Sequence, residues 1–198
     1  MEASIATITL ESMSAMSQSR KHDTPLLEGE DKGKHDERTW RDKMHVDVRN
    51  GKPTVVIPAH ALHMCFADGA KYTKRKIEGQ GKATWTAKFM SGIMLSEDPS
   101  LDIDPATVPC VKISANVNGI RGVGGRVDRR FPQILKWKTS FDVYIIDPII
   151  TEDIFREMVE KAGMFIGIGQ NRPQTSGGSS GRFKIGRLVW QDNRRIAA

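Results

Sequence analysis

The sequence predicts a single mixed α+β domain. β-branched and apolar residues typical of strands occur near both ends of the chain and at residues 141–146, whereas residues 151–163 have the spacing of an amphipathic helix. A second helical pattern begins at Pro58. The chain has 198 residues, which suits one domain, or one domain with a long insertion, and is enough to bury a core without disulfides or metals.

The first half of the chain is predicted to contain strands around one helix. Residues 5–10 form the first strand, and residues 44–48 and 55–57 pair through an Asn50-Gly51 turn, since this dipeptide favours hairpins. Pro58 then opens a helix, because the first helical turn does not need the N–H group that proline lacks. The apolar face of this helix consists of Leu62, Cys65, Phe66, Gly69 and Ala70.

The second half is predicted to contain short strands, loops and a second helix. In order, these are a loop at 79–85, a strand at 89–95, a loop at 97–105, strands at 111–113 and 141–146, a helix at 151–163 and a last strand at 182–190. Thr151 caps the helix and Gly163 ends it. The apolar face of the helix consists of Ile154, Phe155, Met158, Val159 and Ala162.

Two segments are insertions in this order of elements. Residues 13–54 begin with a long polar stretch that has no sustained period, and residues 114–138 are rich in arginine and glycine. Without them the order is βαββαβ, which predicts a ferredoxin-like fold. RNA-recognition domains have a sheet of this kind and bind RNA on its open face.

Basic charge is concentrated in parts of the chain, within a net charge of +6 and a pI near 9.4. From residue 17 to residue 49, eight basic residues balance eight acidic ones. Between residues 116 and 138, Asp128 opposes six basic residues, which are Arg121, Arg126, Arg129, Arg130, Lys136 and Lys138. Residues 182–195 add five basic residues against Asp192. Such clustering indicates a phosphate-binding surface.

A glycine-rich segment lies between the second helix and the last strand. Its sequence GMFIGIGQNRP is followed by Gly177, Gly178, Gly181 and Arg182. Glycines let backbone N–H groups approach phosphates closely. The segment is not a P-loop, because no Gly-Lys-Ser/Thr follows, and it is not a dinucleotide fingerprint, because a strand follows it. A flexible helix-to-strand connection is the alternative interpretation.

This part of the sequence resembles the C-terminal signature of the RAMP superfamily, the repeat-associated ferredoxin-like proteins of CRISPR effector complexes. The resemblance covers the second helix, the FIGIGQNRP…SSGRFKI segment and the last strand, and VVIPAHALHMCFADGAKY is similar to the superfamily's first helix. Ala59 and His60 depart from the Ile-Pro-Gly-Ser-Ser-like turn that commonly begins that helix. Within the superfamily, the chain most resembles the backbone subunit that polymerises along guide RNA.

The resemblance implies a set of RNA contacts. The family's glycine loop corresponds to Gly167, Gly169, Gln170, Asn171, Arg172, Gly181 and Arg182. Contacts are also expected from Arg20 and Lys21 after the first strand, and from Lys71, Lys74 and Arg75 in the first helix. The insertion at 114–138, called the arm below, corresponds to the family's thumb. Its phosphate contacts would be Arg121, Arg126, Arg129 and Arg130, while Phe131 and Trp137 would stack on or wedge between bases. A solvated basic hairpin without a ligand is the alternative for the arm.

A catalytic role is a second hypothesis. Some backbone subunits of this superfamily cut target RNA with an aspartate in the loop after the first strand, where this chain has Asp23 to hold a metal and His22 to act as general acid or base. The alternative is that both are surface loop residues without a catalytic role, because one aspartate makes a poor metal site. No cofactor or metal centre is predicted, and Cys65 and Cys110 are expected to be buried thiols of a cytoplasmic protein.

The sequence therefore predicts a non-catalytic subunit that binds single-stranded guide RNA, other copies of itself and other effector-complex subunits. No apolar run approaches the ~18 residues that span a bilayer, so no membrane contact is expected. The alternatives are a RAMP-type endoribonuclease and a solitary, virus-encoded relative that inhibits a host complex through protein contacts. Other RNA and single-stranded DNA stay alternatives to guide RNA, because backbone-directed binding is largely independent of sequence.

Overall fold

A computed structural model describes residues 2–116 and 125–195. The strands in this part of the chain are β1 (Glu2–Ser12), β2 (Met16–Ser17), β3 (Val46–Arg49), β4 (Lys52–Val55), β5 (Ile93–Met94), β6 (Cys110–Asn116), β7 (Arg126–Ile134), β8 (Lys138–Ile145) and β9 (Phe183–Arg195). The helices are α1 (Lys32–Thr39), α2 (Ala59–Thr73), α3 (Trp85–Ser91), α4 (Glu152–Lys161) and α5 (Pro173–Ser176). A π-helical turn, Ala162–Ile166, extends α4.

The central sheet has the strand order β5-β8-β1-β9, and all its neighbouring strands are antiparallel. Ala6, Ile8 and Leu10 of β1 are fully buried on one face, because side chains alternate across a strand. Helices α2 and α4 contribute to the same core. The Phe66 ring meets Phe155 edge to face, with centroids 6.1 Å apart. The prediction of a mixed α+β fold is confirmed, and its sheets are antiparallel.

The two predicted helices are present with their predicted apolar faces. Every residue named for the faces of α2 and α4 is buried. The Thr151 hydroxyl accepts a hydrogen bond from the Ile154 N–H, which confirms the predicted cap. The Asn50-Gly51 turn also joins β3 and β4 as predicted, and both turn residues have positive φ. A strong apolar period and a strong turn dipeptide were therefore reliable signals.

Three local predictions were wrong, and two elements were not predicted. Residues 89–95 are not one strand, because the chain forms α3 and then the short β5. The long polar stretch contains α1, and the arm contains β7. Gly163 does not end the second helix, since the π-helical turn continues to Ile166. Cys110 is exposed, and only Cys65 is buried.

The two insertions pack against each other through a smaller sheet with the order β2-β7-β6. β2 is in the first insertion, β7 is in the arm, and β6 leads into the arm. Lys43 of the first insertion donates hydrogen bonds to the Asp36 carboxylate and to the Arg130 carbonyl. The other Asp36 oxygen accepts the Arg130 N–H at 2.6 Å. Within the described residues, no helix has the length and apolar character needed to cross a bilayer.

Candidate nucleic-acid interface

The glycine loop, residues 167–181, lies on the same side of the molecule as the root of the arm, the part around Gln133 and Trp137 that joins the core. Strand β2 joins them. The Ser17 carbonyl accepts the Gln170 N–H at 2.6 Å, and Ser17 also pairs with Gln133 of β7. The Gly181 N–H donates to the Ala15 carbonyl at 2.8 Å. The short second strand thus connects the two segments that the sequence singled out.

The glycine loop is packed against its own backbone and against β2. Gly169 has φ +79°, and a Cβ atom there would lie 2.3 Å from the Ser17 carbonyl oxygen. Gly181 has φ +73°, and its Cβ would lie 1.8 Å from the Ile168 carbonyl oxygen. The N–H groups of Gly167, Ile168, Gln170 and Gly181 all donate to carbonyls within the protein. These amides are therefore not available to a phosphate, and the two glycines are explained by packing.

A continuous groove runs between this loop and the first half of α2. Two adjoining cavities, of about 210 and 330 Å³, share the lining residues Ala61, Ile168, Gly169 and Arg172. The smaller one also reaches His45 and Gln170, and the larger one reaches His60, Met64 and Asp68. A third cavity of about 520 Å³ shares His45 and extends to Arg20. The groove is therefore bounded by both insertion and core residues.

Two arginines of the groove are free of ion pairs among the described residues, whereas a third, Arg49, pairs with Asp47 and Glu97. The Arg20 side chain is exposed and has no hydrogen bond or ion pair with any residue the structure describes. Among the described residues, the Arg172 guanidinium makes one long hydrogen bond, 3.4 Å from Nε to the Gln174 amide oxygen. Both guanidiniums can therefore accept a new anionic partner without breaking an ion pair.

His45 is the titratable group at the junction of the cavities. Burial lowers the pKa of its imidazole below the usual value, the nearby Arg20 charge lowers it further, and Asp98 opposes the shift. The Asp98 carboxylate also accepts the Ala59 N–H at 2.8 Å, so it satisfies one amide at the N-terminus of α2. The lowered pKa favours the neutral form of the imidazole, so the positive charge of the groove rests mainly on its arginines.

The predicted helix contacts do not join this groove. Lys74 follows α2, about 20 Å along the helix axis from Ala61. Lys71 and Arg75 are near the same end, and Arg75 forms an ion pair with Glu157 of α4. Lys21 is exposed next to Arg20. Of the basic residues expected outside the glycine loop and the arm, the structure therefore places only Arg20 and Lys21 near the groove.

The arm is partly neutralised by the first insertion. Arg130 pairs with Glu37 at 2.7 Å, and its side chain is 16% exposed. Arg126 donates to the Ser114 hydroxyl at 3.1 Å and to the Ser114 carbonyl at 3.0 Å. Arg129 is exposed and has an interaction partner within the protein. Arg121 lies outside the described residues.

The stacking role expected for Phe131 and Trp137 requires correction. Phe131 is 5% exposed and lies under the Lys43 ammonium, 4.6 Å from the ring centroid. Trp137 is 4% exposed and packs against Phe183, with centroids 6.1 Å apart. Both rings belong to the interior, so neither has a free face for a base in this conformation. Aromatic residues next to a basic segment were misleading because the same residues anchor the arm to the core.

The remaining predicted residues flank the groove or lie apart from it. The Asn171 side chain accepts the Ser176 hydroxyl at 2.7 Å, inside the glycine loop. Arg182 donates its backbone N–H to the Ser14 hydroxyl, and its buried Nε has no partner among the described residues. His22 stacks on His35, with centroids 5.9 Å apart, and Asp23 is exposed. The described residues contain no group of three or more His, Cys, Asp or Glu side chains that could hold a metal.

Sequence reasoning missed His45, His60, Met64 and Asp98 at the groove. His45 lies inside the predicted hairpin strand and His60 in the first turn of the predicted helix. The available signal was the presence of polar residues in the predicted hairpin strand and in the first turn of the helix that begins at Pro58. Asp98 gave none, because its contact with Ala59 joins residues 39 positions apart.

Comparisons with known proteins complete the description of the fold. No protein-family model matches this chain, and no curated protein matches it. The structure is similar to a chain of the Type III-B Cmr-beta complex bound to cognate target RNA, with a TM-score of 0.53 and 12% identity over 96% of this chain. The match spans 61% of that larger chain. At this identity the likeness shows a shared fold.

Two further solved structures have lower similarity. Cmr6 from Pyrococcus furiosus has a TM-score of 0.48 and 12% identity, over 91% of this chain and 98% of that protein. A chain of a CRISPR RNA-guided surveillance complex has a TM-score of 0.42 and 9% identity, over 93% of this chain and 66% of that chain.

Proposed function

We propose that this protein is an RNA-binding subunit of a CRISPR-like ribonucleoprotein, and that it holds single-stranded RNA in the groove between α2 and the glycine loop. The observation that supports this most directly is the continuity of the groove with Arg20 at one end and Arg172 further along it, neither of them in an ion pair within the described residues. The fold shared with a chain of the Cmr-beta complex makes such an assembly the natural context.

The same proposal assigns the core to the ferredoxin-like, RAMP-type arrangement. Its support is the sheet order β5-β8-β1-β9 together with α2 and α4, which each connect a pair of strands of that sheet. In this arrangement the arm acts as the thumb, and copies of the protein pack head to tail along the RNA. The arm's exposed Arg126 and Arg129 then extend the phosphate contacts beyond the groove.

Phosphate contacts rather than base contacts are expected to dominate in the groove. Two of its charged groups, Arg20 and Arg172, are donors suited to phosphate oxygens, and the carboxylates that also line the cavities have partners of their own: Asp47 and Glu97 pair with Arg49, Asp68 with the Gln174 amide and Asp98 with the Ala59 N–H. The imidazole of His45 can donate one further hydrogen bond while it stays neutral. Binding of this kind is strongly salt dependent and largely independent of base sequence.

The test compares charge reversal inside the groove with charge reversal outside it. The Arg20→Glu/Arg172→Glu protein is expected to lose RNA that copurifies with the wild type, measured as the 260/280 nm absorbance ratio. Its affinity for a labelled oligouridine should fall at least about tenfold, and the slope of log K against log salt should decrease by about 1.4, or ~0.7 per phosphate contact. The matched control is Lys76→Glu/Lys82→Glu, which makes the same change in net charge beyond the far end of α2.

Equal losses in both double variants would mean that overall charge, and not the groove, determines binding. A wild-type protein that purifies free of nucleic acid and does not bind oligouridine at low salt would refute the proposal. Competition with oligodeoxythymidine in the same assay distinguishes RNA from single-stranded DNA.

A further inference from the structure

A stacked pair of aromatic rings lies one helical turn beyond Asp68, the last residue of α2 that lines the groove. The Tyr72 and Phe165 rings are nearly parallel, with centroids 4.6 Å apart and an interplanar angle of 15°. Tyr72 is 51% exposed, although one of its faces is against Phe165. Its hydroxyl makes no hydrogen bond to any described residue. A ring this exposed contributes little to the core.

The fold places this pair in line with the groove. Ala61 and Asp68 line the groove, and Tyr72 follows Asp68 by four residues, so all three project from the same stripe of α2. Phe165 belongs to the π-helical turn that leads directly into the glycine loop. The turn buries Ala162, Gly163 and Ile166 and leaves Phe165 half-buried. Ala61 and Tyr72 are about 16 Å apart along the helix axis, a span that a few nucleotides can cover.

Lysines surround the aromatic pair. Lys71 and Lys161 are exposed, and the Lys161 ammonium lies 5.9 Å from the centroid of the Phe165 ring. Lys71 has no ion pair among the residues the structure describes. Asp68, one helical turn before Tyr72, accepts a hydrogen bond from the Gln174 amide at 2.8 Å. Exposed rings beside lysines are the usual composition of a surface that binds single-stranded nucleic acid.

We propose that Tyr72, supported by Phe165, is a stacking platform for a base of the RNA strand as it leaves the groove. This inference rests on the function proposed above, and it adds a base contact to a site that otherwise holds phosphates. Any base can stack there, because every base has a π-face, so the platform is tolerant of sequence. Lys71 and Lys161 would contact the flanking phosphates.

The experiment removes the ring and then restores it. Tyr72→Ala should weaken oligouridine binding by about 5- to 150-fold, the range for one stacked base, while Tyr72→Phe should stay within about twofold of the wild type. The salt slope should be unchanged, because stacking releases no counterions. With an RNA that carries 2-aminopurine, the quenching seen on binding wild-type protein should be lost in Tyr72→Ala and retained in Tyr72→Phe.

Controls separate this inference from the proposed function. Met90→Ala removes a comparably exposed apolar side chain on α3 and should bind like the wild type. If Tyr72→Ala binds normally while Arg20→Glu/Arg172→Glu does not, the platform is refuted and the groove stands. If the wild type binds no RNA, both are refuted.

If Tyr72→Ala keeps RNA but loses a copurifying protein, the aromatic pair is a protein contact and the inference is overturned. Should Tyr72→Ala lose its native circular dichroism, Phe165→Leu, which leaves Tyr72 in place without its stacked partner, is expected to reduce quenching.

Discussion

Gly169 shows how a single residue fixes the position of the glycine loop. Its backbone is left-handed, and a Cβ atom would meet the Ser17 carbonyl oxygen at 2.3 Å, which also accepts the Gln170 N–H. Alanine at this position would add the cost of left-handed backbone and would also separate the loop from β2. We expect Gly169→Ala to lower the free energy of unfolding by at least about 2 kcal/mol, measured by urea denaturation.

Gly177 provides the matched control within the same loop. Its φ is +67°, but a Cβ atom there would have no heavy atom within 4 Å. Gly177→Ala should therefore cost only the conformational strain, about 1 kcal/mol. Equal costs at the two positions would contradict the role of close packing at Gly169. Because a Cβ atom at Gly177 disturbs no packing, the RNA affinity of Gly177→Ala should stay near that of the wild type.

At the scale of elements, the contact between α1 and β7 depends on a mostly buried ion pair. The side chains of Lys43 and Asp36 are 11% and 16% exposed, and Asp36 also accepts the Arg130 N–H. Removing one partner leaves a buried charge without compensation. We expect Lys43→Met to lower the free energy of unfolding by about 3 kcal/mol, measured in urea, and Lys43→Met/Asp36→Asn to recover a substantial part of that loss.

The control for this pair is an exposed ion pair on a helix. Arg156 and Glu152 are four residues apart on α4, with side chains 39% and 41% exposed. Arg156→Met should cost only about 0.5 kcal/mol, because solvent screens the pair. A loss in Lys43→Met no larger than in Arg156→Met would show that the Lys43 contact does not stabilise the arm.

The elements that could be predicted from the sequence are those whose own side chains form a regular apolar pattern. Strand β1 and helices α2 and α4 each bury one side against the core, so their period is visible in the sequence. Residues 89–95 gave a false strand pattern, because Phe89, Ile93 and Leu95 occur at odd positions although Phe89 is in α3. A helix of seven residues is too short to show its period.

The elements that could not be predicted are stabilised by partners distant in sequence. Helix α1 has no apolar stripe; it begins at the Asp31 cap and contacts the arm through Asp36 and Glu37. The first half of β7 is exposed, so it has no alternation. The groove also depends on residues that are distant in sequence, since it combines Arg20, Ala61 and Arg172 from three separate segments. The glycine-rich composition pointed to the segment of Arg172 in advance, and the resemblance to a known family pointed to Arg20.

For the whole molecule, the important feature is that both insertions contribute to one core. Met16 and Met44 of the first insertion and Ile134 and Trp137 of the arm belong to the same buried cluster as the central sheet. A groove built from insertion and core residues keeps its shape only if these parts do not separate. The arrangement therefore implies that the first insertion, which supplies Arg20 and His45, is a fixed wall of the groove and not a mobile addition to the core.

A shared core predicts that the chain unfolds as one cooperative unit, and its four tryptophans can test this. Trp40 lies in the first insertion, Trp85 in α3, Trp137 at the root of the arm and Trp190 in β9. In protein labelled with 5-fluorotryptophan, the four native ¹⁹F NMR signals should disappear at one urea concentration, and Lys43→Met should shift all four midpoints together. Earlier loss of the Trp40 signal alone would show that the first insertion is a separate folding unit. The end of the groove at Arg20 would then be formed by a part that opens independently, and RNA affinity should fall at the same urea concentration as the Trp40 signal.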